Sequence, residues 1–237
     1  MISKLSQTKA ICLISDGIDS PVATYLTAQK KVKVIGLHFE NNPMVKPSKK
    51  YKDKKLEQLI LDSEKQILNI AQQIANSLSF QDSFQLYLIP NGEDLKAIST
   101  SDDPKITCVL CKRLMLLKAE YLAKKLDIDY IVTGEILGEQ ASQTINNLYN
   151  IQDVLKGKQL LRPIIGLNKE EVTKIARKIG TLTFSEKAAV FTCSAVPNKP
   201  VIQADLDRIY NLEKKLDIEK KAKKSIENAK KLTFNKN

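Results

Sequence analysis

Ser15-Asp16-Gly17-Ile18-Asp19-Ser20 stands between an apolar run, Ala10–Ile14, and a helical pattern that extends from Ser20 to about Gln29. A strand-to-helix turn of this kind aims backbone N–H groups and a helix N-terminus at one point, which suits an anion. Gly17 admits backbone conformations closed to other residues, and Ser15 and Ser20 bring hydroxyl donors. Asp19 has the wrong sign to attract phosphate, so its role there is to hold Mg²⁺ or to orient the loop. From the residues alone, an ordinary capped turn competes with a phosphate site. The segment has neither the lysine of a Walker loop nor the glycine pattern of a dinucleotide fold.

The cysteines are the second chemical feature. Cys108-Val109-Leu110-Cys111 opens a helical pattern, and a helix N-terminus lowers thiol pKa. That spacing suits a redox couple, half of a metal site, or two buried thiols. Cys12 sits inside the first apolar run and reads as a buried thiol. Cys108, Cys111 and Cys193 remain, and a closed zinc site would want a fourth ligand in a chain whose one histidine is His38.

The elements that must position these residues follow from periodicity. Ala10–Ile14, Lys33–Phe39, Phe84–Ile89 and Tyr130–Thr133 read as strands, and helical patterns cover Leu56–Leu78, Cys108–Leu126 and Lys169–Ile179. Asn168 is a natural N-cap for the last of these, and Gly180 ends it. Asn41–Lys55 and Glu93–Ile106 read as loops, and a polar helix is expected around Gln140–Asn147. The opening strand–turn–helix–strand is a βαβ unit, which implies a parallel sheet covered by helices. The chain is long enough for one sizeable α/β domain over residues 1–200, followed by a charged helical C-terminal extension over 201–237.

The chain carries 38 Lys+Arg against 27 Asp+Glu, a formal net charge of +11, which favours a polyanionic partner, nucleic acid first. A lysine-coated soluble surface is the plain alternative. No segment has the run of about 18 apolar residues that a membrane span needs, and Met1–Ile14 has no signal-peptide core. The expected location is therefore the cytoplasm, where structural disulfides are uncommon.

Leu13-Ile14-Ser15-Asp16-Gly17-Ile18-Asp19-Ser20-Pro21-Val22-Ala23 resembles the Ser-Gly-Gly-x-Asp-Ser loop of the PP-loop ATP pyrophosphatases. Its Ile-Asp-Ser-Pro-Val-Ala continuation is similar to that of the tRNA 4-thiouridine synthetase (tRNA sulfurtransferase, ThiI) family. Val132–Thr144, Leu161–Glu171 and Ala176–Thr181 fit the same family in the same order, so the resemblance covers residues from about 10 to 200. One departure is Asp16, which stands where the loop's first glycine is expected and brings a negative charge beside the phosphate site. Another is that the chain resembles the catalytic domain standing alone, without the family's N-terminal tRNA-binding domains.

This resemblance implies a HUP-like, Rossmann-like α/β fold and an ATP-dependent sulfurtransferase that forms AMP and pyrophosphate. ATP would adenylate the 4-carbonyl oxygen of a uridine in tRNA, and sulfur would then replace that oxygen. Ser15, Gly17, Asp19 and Ser20 would hold the triphosphate with Mg²⁺, and Lys169 matches the family's adenylation lysine. His38 and Phe39, at the end of the second strand, sit where nucleotide binders place adenine, and Gly134 and Gln143 belong beside the nucleotide crevice. Cys193 matches the family's persulfide-handling cysteine. In members with three such cysteines, Cys108, Cys111 and Cys193 correspond to the ligands of an iron–sulfur cluster, 4Fe-4S or 3Fe-4S. Lys112 and Arg113 are candidates for RNA phosphate contacts. The implied partners are tRNA and a sulfur donor, either sulfide or a persulfide carrier. A separate tRNA-binding protein would replace the absent domains, and a homodimer would enlarge the basic surface. Two other readings stay open: a PP-loop enzyme acting on a small molecule or sulfur-carrier protein, as in thiamine sulfur supply, and a nucleotide-binding subunit that lost catalysis through Asp16.

Overall fold

Parallel pairing of apolar strands dictates the centre of the molecule. The computed structural model describes residues 8–48, 55–188 and 191–237. Strands β1 (Lys9–Leu13), β2 (Lys33–Glu40), β4 (Ser83–Pro90), β5 (Tyr130–Val132), β6 (Gln159–Leu161) and β8 (Lys230–Asn235) form a six-stranded sheet in the order β6-β5-β1-β2-β4-β8. Every pairing in it is parallel except that of β8 with β4. A short antiparallel ribbon joins β3 (Val45–Pro47) to β7 (Phe191–Cys193), placing Val45 opposite Cys193.

Helices cover both faces, as buried parallel strands require. Successive residues of β1 feed opposite sides: Ile11 belongs to one core, Ala10 and Cys12 to the other. The Ile11 side packs against α3 (Gly92–Ser99), α4 (Thr107–Leu126), α5 (Ile145–Gln152), α8 (Leu206–Leu216) and α9 (Ile218–Glu227). The Cys12 side packs against α1 (Asp19–Ala28), α2 (Leu56–Ser77), α6 (Lys169–Lys178) and α7 (Leu182–Ala188). Among the described residues no helix is long and apolar enough to cross a membrane.

Several elements differ from the sequence reading, each for a physical reason. Glu93–Ile106 is not a plain loop, because Leu95 and Ile98 bury one face of α3. The Asn41–Lys55 loop contains β3, which exists only through its pairing with β7 (residues 49–54 lie outside the described ones). The polar helix expected around Gln140–Asn147 is a 3-10 turn, Ala141–Gln143, followed by α5, with the Thr144 side chain capping the α5 N-terminus. Residues 201–237 were expected to be helical. They form α8 and α9 but end in strand β8, whose alternating pattern borders β4. The capping box at Asn168 is present, with Glu171 reciprocating.

Candidate functional site

The chain runs outward from β1 through β2 to β4, then returns to build β5 and β6 on the other side of β1. The strand order therefore reverses between β1 and β5, and the crevice at their carboxyl ends is where such sheets take ligands. The Ser15–Ser20 loop leaves β1 at that point, and Gly134 leaves β5 beside it.

The loop is held by its own hydroxyls. Ser20 Oγ accepts from the Ser15 amide at 2.8 Å, and Ser15 Oγ accepts from the Gly17 amide at 3.2 Å. Ser185 of α7, an element the sequence reading did not find, donates to the Gly17 carbonyl at 3.2 Å. No side chain caps the N-terminus of α1, so its first-turn amides face the crevice for a ligand to use. Asp16 does not aim its charge at this point, because its carboxylate accepts from Ser63 Oγ of α2 at 3.2 Å. Gly134 is required by contact: a Cβ there would stand 2.7 Å from both Cα and N of Ser20.

Lys169 opens α6 and reaches across the loop. Its Nζ donates to both Asp19 oxygens, at 2.8 and 3.0 Å, and lies 2.9 Å from Glu139 Oε1. Burial raises the Asp19 pKa, against the pull of Lys169. For Lys169, burial works against the charge, but hydrogen bonds to Asp19 and Glu139 outweigh it and raise its pKa. Glu139 was missed from the sequence. It follows Gly138, whose φ of +76° turns the chain back toward α6.

The crevice has two lobes that share Ile14, Ser15, Phe39 and Met115 as a common wall. The first, about 230 Å³, is lined by Asp19, Ser20, Lys112, Gly134, Glu135 and Gln143. Gln143 is 5 % exposed and its Oε1 has no hydrogen-bond partner. An orphaned buried acceptor of this kind fits a ligand donor. The second lobe, about 280 Å³, includes Asp16, His38, Glu40, Asn41, Ser63 and Cys193. His38 Nδ1 is 2.9 Å from the Ile14 carbonyl, which only accepts, so Nδ1 carries the proton. Phe39 is buried in the dividing wall.

Glu135 forms part of the first lobe's wall, a role the sequence reading did not assign. It accepts from Lys112 Nζ at 2.9 Å, Arg162 Nε at 2.7 Å and Thr133 Oγ1 at 3.2 Å. Burial alone would raise its pKa, yet Lys112 and Arg162 together hold it below the usual carboxylate range. With two cations against one carboxylate, this wall suits an anionic ligand. Lys112 is therefore a cleft residue, paired with Glu135 at the wall of the first lobe. Arg113 needs a full correction: 1 % exposed, it is bonded to Glu213 of α8, Asp153 and the Asn150 carbonyl, and lies over the Tyr210 ring. It ties α4 to α5 and α8 and is unavailable to RNA.

The three candidate cluster ligands are brought to one region. β7 carries Cys193 toward the start of α4, and burial raises the Cys108 thiol pKa, with Cys193 adding to the shift. Burial pushes Cys111 to about 12, with Cys193 and then Cys108 adding to it. Three cysteine thiols are the donor type that iron–sulfur clusters take. Among the described residues, however, no three Cys, His, Asp or Glu side chains stand together as a formed metal-binding group. The donor chemistry fits a cluster, and the spacing would have to close around one. Cys12 is fully buried in β1, as its apolar run predicts.

A phosphate loop at the switch point of a parallel sheet, crossed by a lysine and walled by half-buried cations, defines the PP-loop class of α/β domain. The chain belongs to the ThiI family: the model of the thiamine biosynthesis protein (ThiI) family matches residues 5–218. A protein of Methanosarcina mazei named "Probable tRNA sulfurtransferase" is 34 % identical over 95 % of this chain and 51 % of its own length. A namesake in Methanocaldococcus jannaschii is 34 % identical over 90 % of this chain and 51 % of its own. One in Acetivibrio thermocellus is 30 % identical over 97 % and 54 %. The chain thus spans about half the length of these curated relatives. The fold is also that of a 4-thiouridine synthetase solved with RNA and bound ATP, with a TM-score of 0.83 and 23 % identity over 96 % of this chain and 55 % of that one.

Proposed function

We propose that this chain carries the ATP-dependent activation and sulfur-transfer chemistry of tRNA thiolation, converting a uridine to 4-thiouridine. The observation that carries this reading is Lys169 docked on Asp19 across the phosphate loop, with Cys193 lining the same crevice. The names of the relatives and of the structural neighbour support the same reading.

ATP would occupy the crevice with its phosphates on the Ser15–Ser20 loop and its remaining contacts drawn from His38, Phe39, Gly134 and Gln143. Asp19 and Glu139, freed from Lys169, are the carboxylates that would hold Mg²⁺, which would offset phosphate charge. Lys169 would then turn from Asp19 to the phosphate under attack. A uracil carbonyl is a poor electrophile. Joining its oxygen to the α-phosphate breaks the bond to pyrophosphate and creates a leaving group. A hydrosulfide equivalent adds at C4, AMP leaves, and one proton is lost. Lys169 and the Lys112–Arg162 wall stabilise the charge that moves along the phosphates. Cys193 would handle the sulfur. An iron–sulfur cluster held by Cys108, Cys111 and Cys193 would supply an open iron for sulfide.

The test is incubation of the anaerobically purified chain with unmodified tRNA, ATP, Mg²⁺ and sulfide, reading pyrophosphate and nucleoside composition. Pyrophosphate release that depends on tRNA, with 4-thiouridine in the digest, is the expected result. Pyrophosphate release that is indifferent to tRNA but responds to a small acceptor or carrier protein would overturn the tRNA assignment. Iron and sulfide analysis of the same preparation, beside Cys193→Ala, tests the cluster.

A further inference from the structure

A second depression lies outside the crevice, on the far side of Cys193. It is an open groove of about 610 Å³ between the turn that leads into α4 and the segment following β7. Its walls include Ser99, Lys105, Ser194, Asn198 and Lys199, and Val196 lies between them, 51 % exposed. The two walls are joined through the backbone, the Val201 amide donating to the Lys105 carbonyl at 3.3 Å. Cys193 immediately precedes one wall, and Cys108 begins the helix that follows the other.

The charge of this groove is all of one sign. No carboxylate lines it. The nearest acidic residues in the chain, Asp102 and Asp103, are engaged elsewhere, by Lys215 at 2.7 Å and Arg208 at 2.6 Å. Lys105 and Lys199 are both exposed and belong to none of the ion pairs among the described residues. Two free ammonium groups, neutral hydroxyl and amide donors, and an apolar floor from Pro104, Ala195 and Pro197 make up the surface.

We propose that this groove seats the sugar–phosphate backbone of the substrate RNA on the sulfur side of the crevice. The proposal rests on the tRNA reading above and names the surface through which that substrate is held. An open trough with two mobile cations suits a chain of phosphates, each contact releasing counterions, better than one enclosed anion. The proline and valine faces would lie against ribose, which carries no charge to repel. A strand seated there passes Ser194 and delivers its next base toward Cys193.

The experiment compares the full chain with the double variant Lys105→Glu/Lys199→Glu, and with Lys230→Glu/Lys231→Glu on β8 as a control of equal charge change elsewhere. Unmodified tRNA is titrated by fluorescence anisotropy from about 50 to about 200 mM salt, and ATP affinity is measured on the same proteins. The expected result is tRNA binding at least about tenfold weaker in the double variant, with a log–log salt slope shallower by about two. ATP affinity should be unchanged and the control near wild type. An unchanged tRNA affinity and slope overturns the proposal. So does an equal loss in the control, or a double variant that loses sulfur transfer from a protein donor while binding tRNA normally. Wild-type protein that binds no tRNA at any salt overturns it too. If only the functional reading is wrong, the outcome differs: the wild type binds tRNA through the groove but releases no pyrophosphate with it.

Discussion

Lys169 and Asp19 are separated by 150 positions in the chain and meet at 2.8 Å across the phosphate loop. The pair joins the first turn of α1 to the first turn of α6, so two helix N-termini face each other over one ligand site. Glu139 completes the arrangement from a third segment, giving the ammonium a second counter-ion.

Replacing Lys169 should therefore separate chemistry from stability. The side chain is 49 % exposed, and ion pairs of that exposure contribute at most about 1 kcal/mol. Lys169→Met is expected to shift the urea midpoint little while lowering tRNA-dependent pyrophosphate release by about a hundredfold or more. A midpoint collapse matching the activity loss would refute a chemical role.

Gly134 sits where even a methyl group meets backbone. In Gly134→Ala the new Cβ must push Ser20 away from 2.7 Å, and Ser20 is part of the phosphate loop. We expect ATP affinity at least about tenfold weaker and a stability loss of about 1–3 kcal/mol, typical of overpacking. Calorimetric titration and thermal melting check the two halves separately.

Glu135 holds Lys112 and Arg162 together with its side chain 9 % exposed. Glu135→Gln keeps the shape and removes the charge, leaving two cations to repel across a neutral amide. Because Lys112 and Arg162 retain some solvent contact, the expected cost is about 1–3 kcal/mol, below that of a fully buried broken pair. Denaturant unfolding measures it, and an Asp substitution should recover part of the loss.

Cys12 gives the chain an alkaline limit. Burial pushes its thiol from 9.0 up to about 12 in the folded protein. The unfolded chain then loses this proton first, so the contribution to stability is complete below pH 9.0, declines above it and is lost by about 12. The slope from this residue reaches about 1.4 kcal/mol per pH unit. Cys12→Ala should flatten the fall of the urea midpoint between pH 9.0 and about 10.5, roughly one and a half units above the ordinary thiol value of 9.0. An identical slope in both proteins would contradict this.

What the sequence made legible was local. The apolar runs of β1 and β2, the long helix with Cys108 in its first turn, and the Asn168 cap depend on neighbours within a few residues, and they stand where periodicity placed them. β3 and β7 are three residues each and exist only because they find one another. Glu139 and Glu135 become site residues through partners far along the chain, and a carboxylate in a polar stretch carries no local sign of that. Arg113 misled for the same reason: beside Lys112 it read as one basic patch, yet a helix turns adjacent residues about 100° apart. One faces the crevice and the other the core.

Strand β8 has a consequence for how the molecule comes into being. It lies against β4 at the edge of the sheet, with Lys236 adding a backbone bond to Asp82, so β4 is made well before the strand that covers it. Until β8 emerges from the ribosome and pairs, β4 presents an unsatisfied ladder and can find the same edge of another nascent copy.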